Sequence, residues 1–255
     1  MPFTVTTSRM LQTNATVLSH GGETLVIDAP YFPDELAALR AEAGGRVRLF
    51  ATHSHFDHLL ARLAFPSATL MVGMPTARAL ARDPEKPSKD LREEDGRHYV
   101  RRSEPLRFGT MQGVPVPAEI ELGGEWIDLV EAPGHTEDGT ALFAPWAGLL
   151  CCGDYLSDVE IPLLSAAGSL PDYRETLERL RPLVASAATV VPGHGSPCDS
   201  RTALARLEED LAYLDGLPAG EPNQPLPPGR DTVRQREIHK ANLKRHGPKK
   251  PRAKK

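Results

Sequence analysis

The 255-residue sequence predicts a layered α/β fold, in which strands form sheets and helices cover them. Two groups of short apolar segments, one near the start and one in the middle of the chain, are bounded by turn residues as strands are. Segments with apolar residues at helical spacing separate and follow these groups. Several strands are also followed directly by histidine or aspartate. The first two observations predict the class of fold, and the third indicates where its functional residues lie.

The first half of the chain alternates strands with short helices. The predicted strands cover residues 3–7, 14–19, 23–28, 47–51 and 69–72. The first helix begins at Pro33-Asp34 and ends before Gly44-Gly45. Two further helices are predicted at residues 59–63 and 75–81.

The second half of the chain begins with a hairpin and ends with longer helices. Strands are predicted at residues 119–122, 126–130, 140–143, 148–152 and 188–191, with Gly123-Gly124 as the hairpin turn. Amphipathic helices cover residues 171–184 and 202–214. The remaining segments are a Pro-rich linker at 216–230, a helix at 231–246 with Asp231 as its N-cap, and a basic, disordered tail at 247–255.

The composition, with 40% hydrophobic and 25% charged residues, is typical of a soluble globular protein. No apolar segment approaches the roughly 20 residues that a membrane-spanning helix needs, and residues 1–7 lack the features of a secretion signal. Cys151 and Cys152 are adjacent, which makes them poor disulfide partners, and Cys198 stands alone. We therefore expect a reduced, cytoplasmic setting without membrane contact.

The formal charge of −4 hides an uneven distribution. Residues 241–255 contain seven lysines and arginines and no acid, which leaves −11 on residues 1–240. Such a tail could contact RNA, DNA or another anionic surface. A disordered, solubilising end is the favoured interpretation.

A charged insert is predicted at residues 82–107, where eight basic and seven acidic side chains leave few apolar ones. Most of these charges are interpreted as a solvated surface with internal ion pairs. One subset is a candidate for substrate contact: Arg97, His98, Tyr99, Arg101 and Arg102.

Three of the nine histidines lie within six residues, in the sequence THSHFDH at residues 52–58. Because side chains two apart lie on the same side of an extended chain, His53 and His55 can face one point after the strand 47–51. Asp57 and His58 follow where the chain turns toward the next helix. Imidazole and carboxylate are ligands of Zn²⁺ and its first-row neighbours, so this motif predicts a divalent metal site.

Two further histidines, His135 and His194, follow strands in matching Pro-Gly-His turns. Proline and glycine end a strand in a tight turn and present the histidine at its tip. Asp154 follows the strand 148–152, although an acid at such a place is commonly a helix cap or a turn residue. Each turn alone is weak evidence for a ligand, and their order along the chain is what strengthens the interpretation.

The order His-x-His-x-Asp-His, Pro-Gly-His, Gly-Asp, Pro-Gly-His resembles the metallo-β-lactamase superfamily of hydrolases. The resemblance covers residues 1–215 and includes an early strand that ends in Asp28. It implies a four-layer αββα sandwich with a dinuclear metal site at one edge of the two sheets. One departure is Leu59-Leu60-Ala61, where many relatives have glycines, and it concerns the packing of the local helix rather than the ligands.

Carried over by position, the resemblance implies a role for each motif residue. Asp28 would orient a ligand histidine through a hydrogen bond. The expected cofactor is two zinc ions per chain, with iron or manganese as the alternatives. Two sets of three residues would each bind one metal ion, and an aspartate would bridge the two ions. The first set is His53, His55 and His135, the second is Asp57, His58 and His194, and the bridging residue is Asp154.

Such a site predicts metal-dependent hydrolysis. Two cations about 3.5–4 Å apart can hold the attacking and leaving oxygens, and a bound water whose pKa falls to about 7 supplies hydroxide at neutral pH. Asp57 would orient that hydroxide, which makes it the expected catalytic residue. Tyr155, next to Asp154, is a candidate for contact with the substrate or its leaving group, with simple packing as the alternative.

The resemblance also narrows the substrate. Exported β-lactamases of the superfamily lack a bridging aspartate. Hydroxyacylglutathione hydrolases have a fuller Gly-Asp signature and a glutathione-binding helical domain. Persulfide dioxygenases usually have an arginine soon after Gly-Asp. None of these patterns matches residues 153–158. The favoured function is therefore hydrolysis of a small ester, lactone or thioester.

Two other functions stay open at this point. A phosphodiester hydrolase acting on RNA or DNA is the alternative, suggested by the basic tail, and a non-catalytic metal-binding protein is the remote alternative. The expected partner is a small-molecule substrate, and the sequence does not decide the oligomeric state.

Overall fold

The computed structural model describes residues 2–109, 111–220 and 224–247. Two β-sheets pack face to face, and helices cover the outer side of each sheet. This arrangement confirms the predicted four-layer α/β architecture. Residues 221–223 of the predicted linker and 248–255 of the predicted tail lie outside the described residues.

The first sheet has six strands whose order in space follows their order in the sequence. They are β1 (Phe3–Thr7), β2 (Asn14–His20), β3 (Glu23–Ile27), β4 (Arg46–Ala51), β5 (Thr69–Gly73) and β6 (Met111–Val114). The strands β1 to β3 pair antiparallel, and β3 to β6 pair in parallel. Because β3 and β4 are parallel, Asp28 and the motif 52–58 leave the sheet at the same edge.

The second sheet has five strands. They are β7 (Ala118–Leu122), β8 (Glu125–Glu131), β9 (Thr140–Ala144), β10 (Leu149–Cys151) and β11 (Thr189–Val191). Their order in space is β11, β10, β9, β8, β7. The pair β10 and β11 is parallel, so the segments that carry Asp154 and His194 leave this sheet side by side.

Helices form the two outer layers. The described residues include α1 (Pro33–Glu42), α2 (Ala61–Ala64), α3 (Met74–Arg82), α4 (Lys86–His98), α5 (Leu170–Ser186), α6 (Ser200–Gly216) and α7 (Val233–His246). The helices α1 to α4 cover the first sheet, α5 and α6 cover the second, and α7 packs against the outer side of the second. None of the helices in these ranges is long and apolar enough to cross a membrane.

The central strands have two buried faces. Leu25 and Ile27 of β3 lie in the core between the sheets, while Val26 faces the helices. In β10, Cys151 faces the other sheet and Leu150 faces α5 and α6. Strands buried on both faces are continuously apolar in sequence, which is why they could be recognised without an alternating pattern.

The structure differs from the prediction in the region of the first sheet. The strand β6 and the helix α4 lie where the sequence predicts neither. In α4, burial is confined to Pro87 and Leu91, so apolar residues do not recur at helical spacing. The helix predicted at 59–63 corresponds to the short α2, which begins two residues later because a 3₁₀ turn at Phe56–His58 comes first.

The start of α7 also differs. Thr232 is its N-cap, since the threonine side chain accepts a hydrogen bond from the Gln235 backbone N–H. The predicted cap, Asp231, is wrong: its carboxylate instead pairs with Arg236 at 2.6 Å on the surface. The helix ends at His246 with Gly247 as its C-cap, as the sequence predicts.

Candidate metal centre

The first motif lies where the chain leaves β4. Asp28, just beyond β3, accepts hydrogen bonds from the Thr52 backbone N–H at 2.8 Å and from the Thr52 hydroxyl at 2.9 Å. His55 keeps an extended backbone, and the 3₁₀ turn Phe56–His58 follows it. With this local geometry, His53 and His55 join one group of converging donor atoms, and Asp57 and His58 join another.

Each Pro-Gly-His turn depends on its glycine. A Cβ on Gly134, whose φ is +130°, would lie 2.3 Å from the Tyr173 Cα atom. A Cβ on Gly193 would lie 2.1 Å from Asp154 Oδ1. Glycine at both positions therefore allows the two turns to close around the site.

Asp154 lies between two groups of side chains. Its Oδ2 atom lies 3.1 Å from His135 Nε2 and 3.7 Å from His53 Nε2. Its Oδ1 atom lies 3.1 Å from His58 Nε2 and 3.4 Å from His194 Nε2. One carboxylate thus faces two pairs of imidazoles.

His55 belongs to the first group. Its Nδ1 atom lies 3.0 Å from His53 Nε2 and 3.1 Å from His135 Nε2. Three ring nitrogens therefore converge on the same side of the Asp154 carboxylate.

Asp57 belongs to the second group. Its Oδ2 atom lies 3.4 Å from His194 Nε2 and 3.8 Å from His58 Nε2. Within each group the donor atoms lie within 4.8 Å of one another: His53, His55, His135 and Asp154 in the first, Asp57, His58 and His194 in the second. The structure therefore brings together all seven residues that the sequence singles out.

Hydrogen bonds on the far ring nitrogens orient two of these histidines through Asp28. His58 Nδ1 donates directly to Asp28 Oδ2 at 2.9 Å. His53 Nδ1 donates to the Thr52 hydroxyl at 3.1 Å, and that hydroxyl donates to Asp28. Both Nε2 atoms are thereby left to face the centre.

Two backbone carbonyls orient two more of the five imidazole rings. His135 Nδ1 donates to Leu163 O, and His194 Nδ1 donates to Leu11 O, each at 2.9 Å. The tautomer of each ring is therefore set by a neighbour outside the site, with Nε2 free as a ligand atom.

The donors fit a bound cation. His58 Nε2 and Asp154 Oδ1 are fully buried and have no hydrogen-bond partner among the described residues. Buried polar atoms without partners are costly, so an array of converging acceptor atoms needs a cation or protons between them. Nitrogen and carboxylate donors in this number suit a divalent first-row metal.

The pKa values show how strongly the Asp154 carboxylate and the surrounding imidazoles act on each other. Burial alone would raise the pKa of Asp154, but the imidazoles, led by His194 and His58, hold it well below its usual range. Burial lowers and Asp154 then raises the pKa of His194, with a net value of about 10. For His55, burial dominates and lowers the pKa to about 4. The site is an ionised carboxylate enclosed by imidazoles, an environment in which a metal ion would be the largest local charge.

The other predicted site residues lie in different surroundings. The Tyr155 hydroxyl accepts a hydrogen bond from the His135 N–H at 3.1 Å and lies 2.8 Å from Pro133 O. These contacts favour support of the turn over the substrate contact predicted for Tyr155. Arg97 pairs with Glu94 at the edge of the site.

Among the remaining candidates from the insert, three lie away from the donor groups. Tyr99 follows α4 and is 93% exposed. Arg102 donates to Asp95 and to Tyr31 O, which holds it in the outer layer. His98 pairs with Glu94. One further residue, Glu160, lies beside Asp154 and His194. No sequence motif contains it, so it was not predicted.

A family model of the metallo-beta-lactamase superfamily matches residues 9–194. The chain belongs to this superfamily. The matched range contains both donor groups and ends at His194, the last of the seven residues.

Two curated relatives of this superfamily member are hydroxyacylglutathione hydrolases. The one from Thermosynechococcus vestitus (strain NIES-2133 / IAM M-273 / BP-1) is 30% identical over 136 residues, which are 53% of this chain and 44% of the relative. The one from Cereibacter sphaeroides (strain ATCC 17025 / ATH 2.4.3) is 29% identical over 159 residues, 61% of this chain and 53% of the relative. The chain thus spans about half the length of these relatives.

Solved structures share the fold at low sequence identity. A metallo-beta-lactamase family protein from Thermus thermophilus has a TM-score of 0.63 at 21% identity, and the match covers 86% of this chain and 82% of that protein. A metallo-beta-lactamase from Pontibacter korlensis has a TM-score of 0.57 at 18% identity, with 81% and 93% covered. The fold is therefore that of the superfamily.

Two cavities of this metallo-beta-lactamase superfamily member meet at His55. A charged cavity of about 380 Å³ includes ligand-type residues of both groups. A second cavity of about 420 Å³ is lined both by apolar residues, such as Leu80 and Ala166, and by charged ones, such as Arg82 and Asp83. The donor groups therefore open onto space of the size that small-molecule ligands occupy.

Proposed function

We propose that the protein is a metal-dependent hydrolase of small acyl compounds, with thioesters as the first candidates and esters and lactones as the others. The observation that carries the proposal is the position of Asp154, which is shared by two groups of donors beside a cavity. The superfamily supports metal-dependent hydrolysis. The curated relatives support the thioester, because hydroxyacylglutathione is one.

The proposal assigns the donors to two metal ions. His53, His55 and His135 would bind the first, Asp57, His58 and His194 the second, and Asp154 both. Zinc is the proposed metal because imidazole and carboxylate donors suit it, and iron and manganese accept the same donors. Two such cations supply Lewis acidity and a water of lowered pKa when they are bound.

Asp57 is the proposed catalytic residue. It is 6% exposed and lines the charged cavity beside His194. A carboxylate in this place accepts a hydrogen bond from the attacking water and fixes its direction toward the acyl carbon. The same side chain would thus bind the second metal and position the nucleophile.

The leaving group favours a thioester. The Tyr155 hydroxyl is held by Pro133 O and the His135 N–H, so it is not free to protonate a departing atom. A thiol has a pKa of about 8.5, so a thiolate can leave without a proton donor. An alcohol oxygen is far more basic and needs that help.

The charged cavity is poorly suited to a polyanion. Each cation that lines it is already paired with a carboxylate: Lys86 with Asp90, Arg97 with Glu94, and Arg234 with Glu160. Binding of a phosphodiester backbone depends on cations that can neutralise phosphates. Phosphodiester hydrolysis therefore stays the second candidate, supported by the basic tail of the sequence.

A substrate panel tests the proposal. Protein loaded with zinc, manganese or iron is assayed with S-acyl glutathiones, lactones and aryl esters, and with single-stranded RNA and DNA. We expect chelator-sensitive hydrolysis that is fastest with a thioester, and uncut nucleic acid. Turnover of no acyl compound by any loaded form would refute the proposal, and cleavage of RNA or DNA alone would replace it with the second candidate.

A further inference from the structure

Glu160 is held in place by hydrogen bonds on both sides of its backbone. Its N–H donates to the Ser157 hydroxyl at 3.0 Å, and its carbonyl accepts from Arg230 Nη1 at 3.1 Å. The next N–H, that of Ile161, donates to Gln235 Oε1 at 2.9 Å. The position of this glutamate is therefore built by the surrounding fold, including α7.

The Glu160 side chain lies at the metal centre and is largely buried. Its carboxylate, one oxygen of Asp154 and one nitrogen of His194 lie within 4.8 Å of one another, and 12% of the side chain is exposed. Two carboxylates at such a distance repel each other unless a cation lies near both. Arg234 of α7 lies 3.4 Å from Glu160, and 56% of its side chain is exposed.

The charge of Glu160 also acts on its neighbours. Burial lowers the pKa of His194, but Asp154 and then Glu160 raise it to about 10. For His135, Glu160 acts on the pKa in the same direction. The carboxylate is thus electrically part of the site, although no motif contains it.

We propose that Glu160 is an additional ligand on the side of the second metal, and that Arg234 competes with that metal for the Glu160 carboxylate. This inference rests on the proposed assignment of Asp57, His58 and His194 to the second metal. Arg234 is mostly exposed and can move into solvent, whereas the backbone of Glu160 is fixed. The glutamate is therefore available to the metal whenever the arginine releases it.

The proposal gives opposite effects for the two members of the pair. Loss of the Glu160 charge removes a donor, so E160Q should lower the affinity for the second metal ion by about ten- to a hundredfold, as loss of a supporting residue at a metal site does. Loss of the Arg234 charge removes the competitor and a nearby positive charge, so R234Q should raise that affinity. The affinity for the first ion should stay the same in both variants.

A titration of the metal-free full-length protein measures these effects without an assay of activity. Zn²⁺ is added in the presence of a chromophoric chelator, and Co²⁺ spectra report the coordination of each ion. E237Q and R236Q are the matched controls, because both residues are exposed on α7 and lie outside the donor groups. We expect the controls to follow the wild-type isotherm.

Two results would overturn the inference: an E160Q protein that binds the second ion as tightly as the wild type, or an R234Q protein that binds it more weakly. If E160Q does not fold, the R234Q protein alone tests the inference, by whether its affinity for the second ion rises or falls. The proposed function fails separately, when the wild-type protein binds two ions but hydrolyses no acyl compound. If E160Q has an unchanged isotherm and hydrolysis is intact, Glu160 is not a metal ligand, but the proposed hydrolase function stands.

Discussion

Asp28 connects the two groups of donors through a single carboxylate. It accepts a hydrogen bond from His58 directly, and it holds His53 through the Thr52 hydroxyl. Its φ of +56° lies in the left-handed region, which aspartate and asparagine tolerate better than most residues. The backbone turn after β3 therefore directs one carboxylate to histidines of both groups, whereas the sequence predicted that it orients one.

We expect Asp28→Asn to weaken metal binding by about ten- to a hundredfold. Asparagine keeps the left-handed backbone but has one acceptor oxygen, so it cannot serve His58 and both Thr52 donors together. Competition with a chelator measures the affinity. Asp34→Asn is the control, because Asp34 pairs with Arg9 on the surface. Equal affinities for the two variants would contradict this role of Asp28.

We expect Asp57→Ala to abolish hydrolysis more completely than metal binding. The side chain orients the water, and such positioned groups contribute about 10²–10⁴-fold to rate, while His53, His55 and His135 still bind the first ion. Turnover and metal content are measured on the same preparation. Asp215→Ala, which removes a surface partner of Arg174 away from both cavities, should keep both. Near-normal turnover by Asp57→Ala would show that its assigned role is wrong.

At the scale of elements, α7 supports the loop that carries Glu160 and Leu163. Asn242 is fully buried, donates to Pro162 O at 2.7 Å and accepts from the Leu164 N–H at 3.1 Å. The residue between these two contacts, Leu163, accepts the hydrogen bond that orients His135. The C-terminal helix is thus connected to the metal centre through one short loop.

We expect Asn242→Ala to destabilise the fold and to weaken the first metal site. Each buried partner left without a hydrogen bond costs about 1–3 kcal/mol, and a displaced Leu163 carbonyl frees the His135 ring. Denaturant unfolding and chelator competition measure the two effects. Lys240→Ala, on the exposed side of the same helix, is the control and should change neither. A destabilised variant with unchanged metal affinity would show that α7 does not support the metal site.

The seven donor residues could be singled out from the sequence because each stands close to a strand end. A turn such as Pro192-Gly193 is a local signal, and the buried strands before the turns are continuous apolar runs. Parallel pairing then brings separate strand ends to one edge of a sheet, as with β10 and β11. The site is thus assembled from features that are visible within a few residues of each ligand.

The parts of the fold and of the site that the sequence did not predict depend on contacts between distant segments. The helix α4 buries only two residues and gives no periodic signal, and the four-residue β6 contains a glycine. Glu160 reaches the site because Arg230 and Gln235, some 70 residues further along, hold its loop. No local pattern encodes such a contact, so the sequence marked Tyr155 and Tyr99 as candidates and left Glu160 unnoticed.

At the scale of the whole molecule, charge is divided between an acidic body and a basic end. Residues 1–240 carry −11, and the cations at the charged cavity are paired with carboxylates. An acidic surface repels nucleic acid at long range, and salt screens that repulsion. Any affinity of the protein for RNA or DNA should therefore come from the basic end.

We expect a variant that lacks residues 247–255 to hydrolyse small acyl substrates within about twofold of the full-length rate. The reason is that the tail follows the end of α7 and has little apolar surface to bury.

The same truncation removes five lysines and arginines, so any nucleic-acid binding by the full-length protein should lose most of its salt dependence. The measurements are kcat/KM and the slope of log Kd against log salt concentration. A full-length variant with those five cations changed to glutamine separates charge from length. A large loss of acyl hydrolysis in the truncated protein would show that the tail takes part in the site. Nuclease activity that disappears with the five charges would instead make nucleic acid the substrate and the tail its binding element.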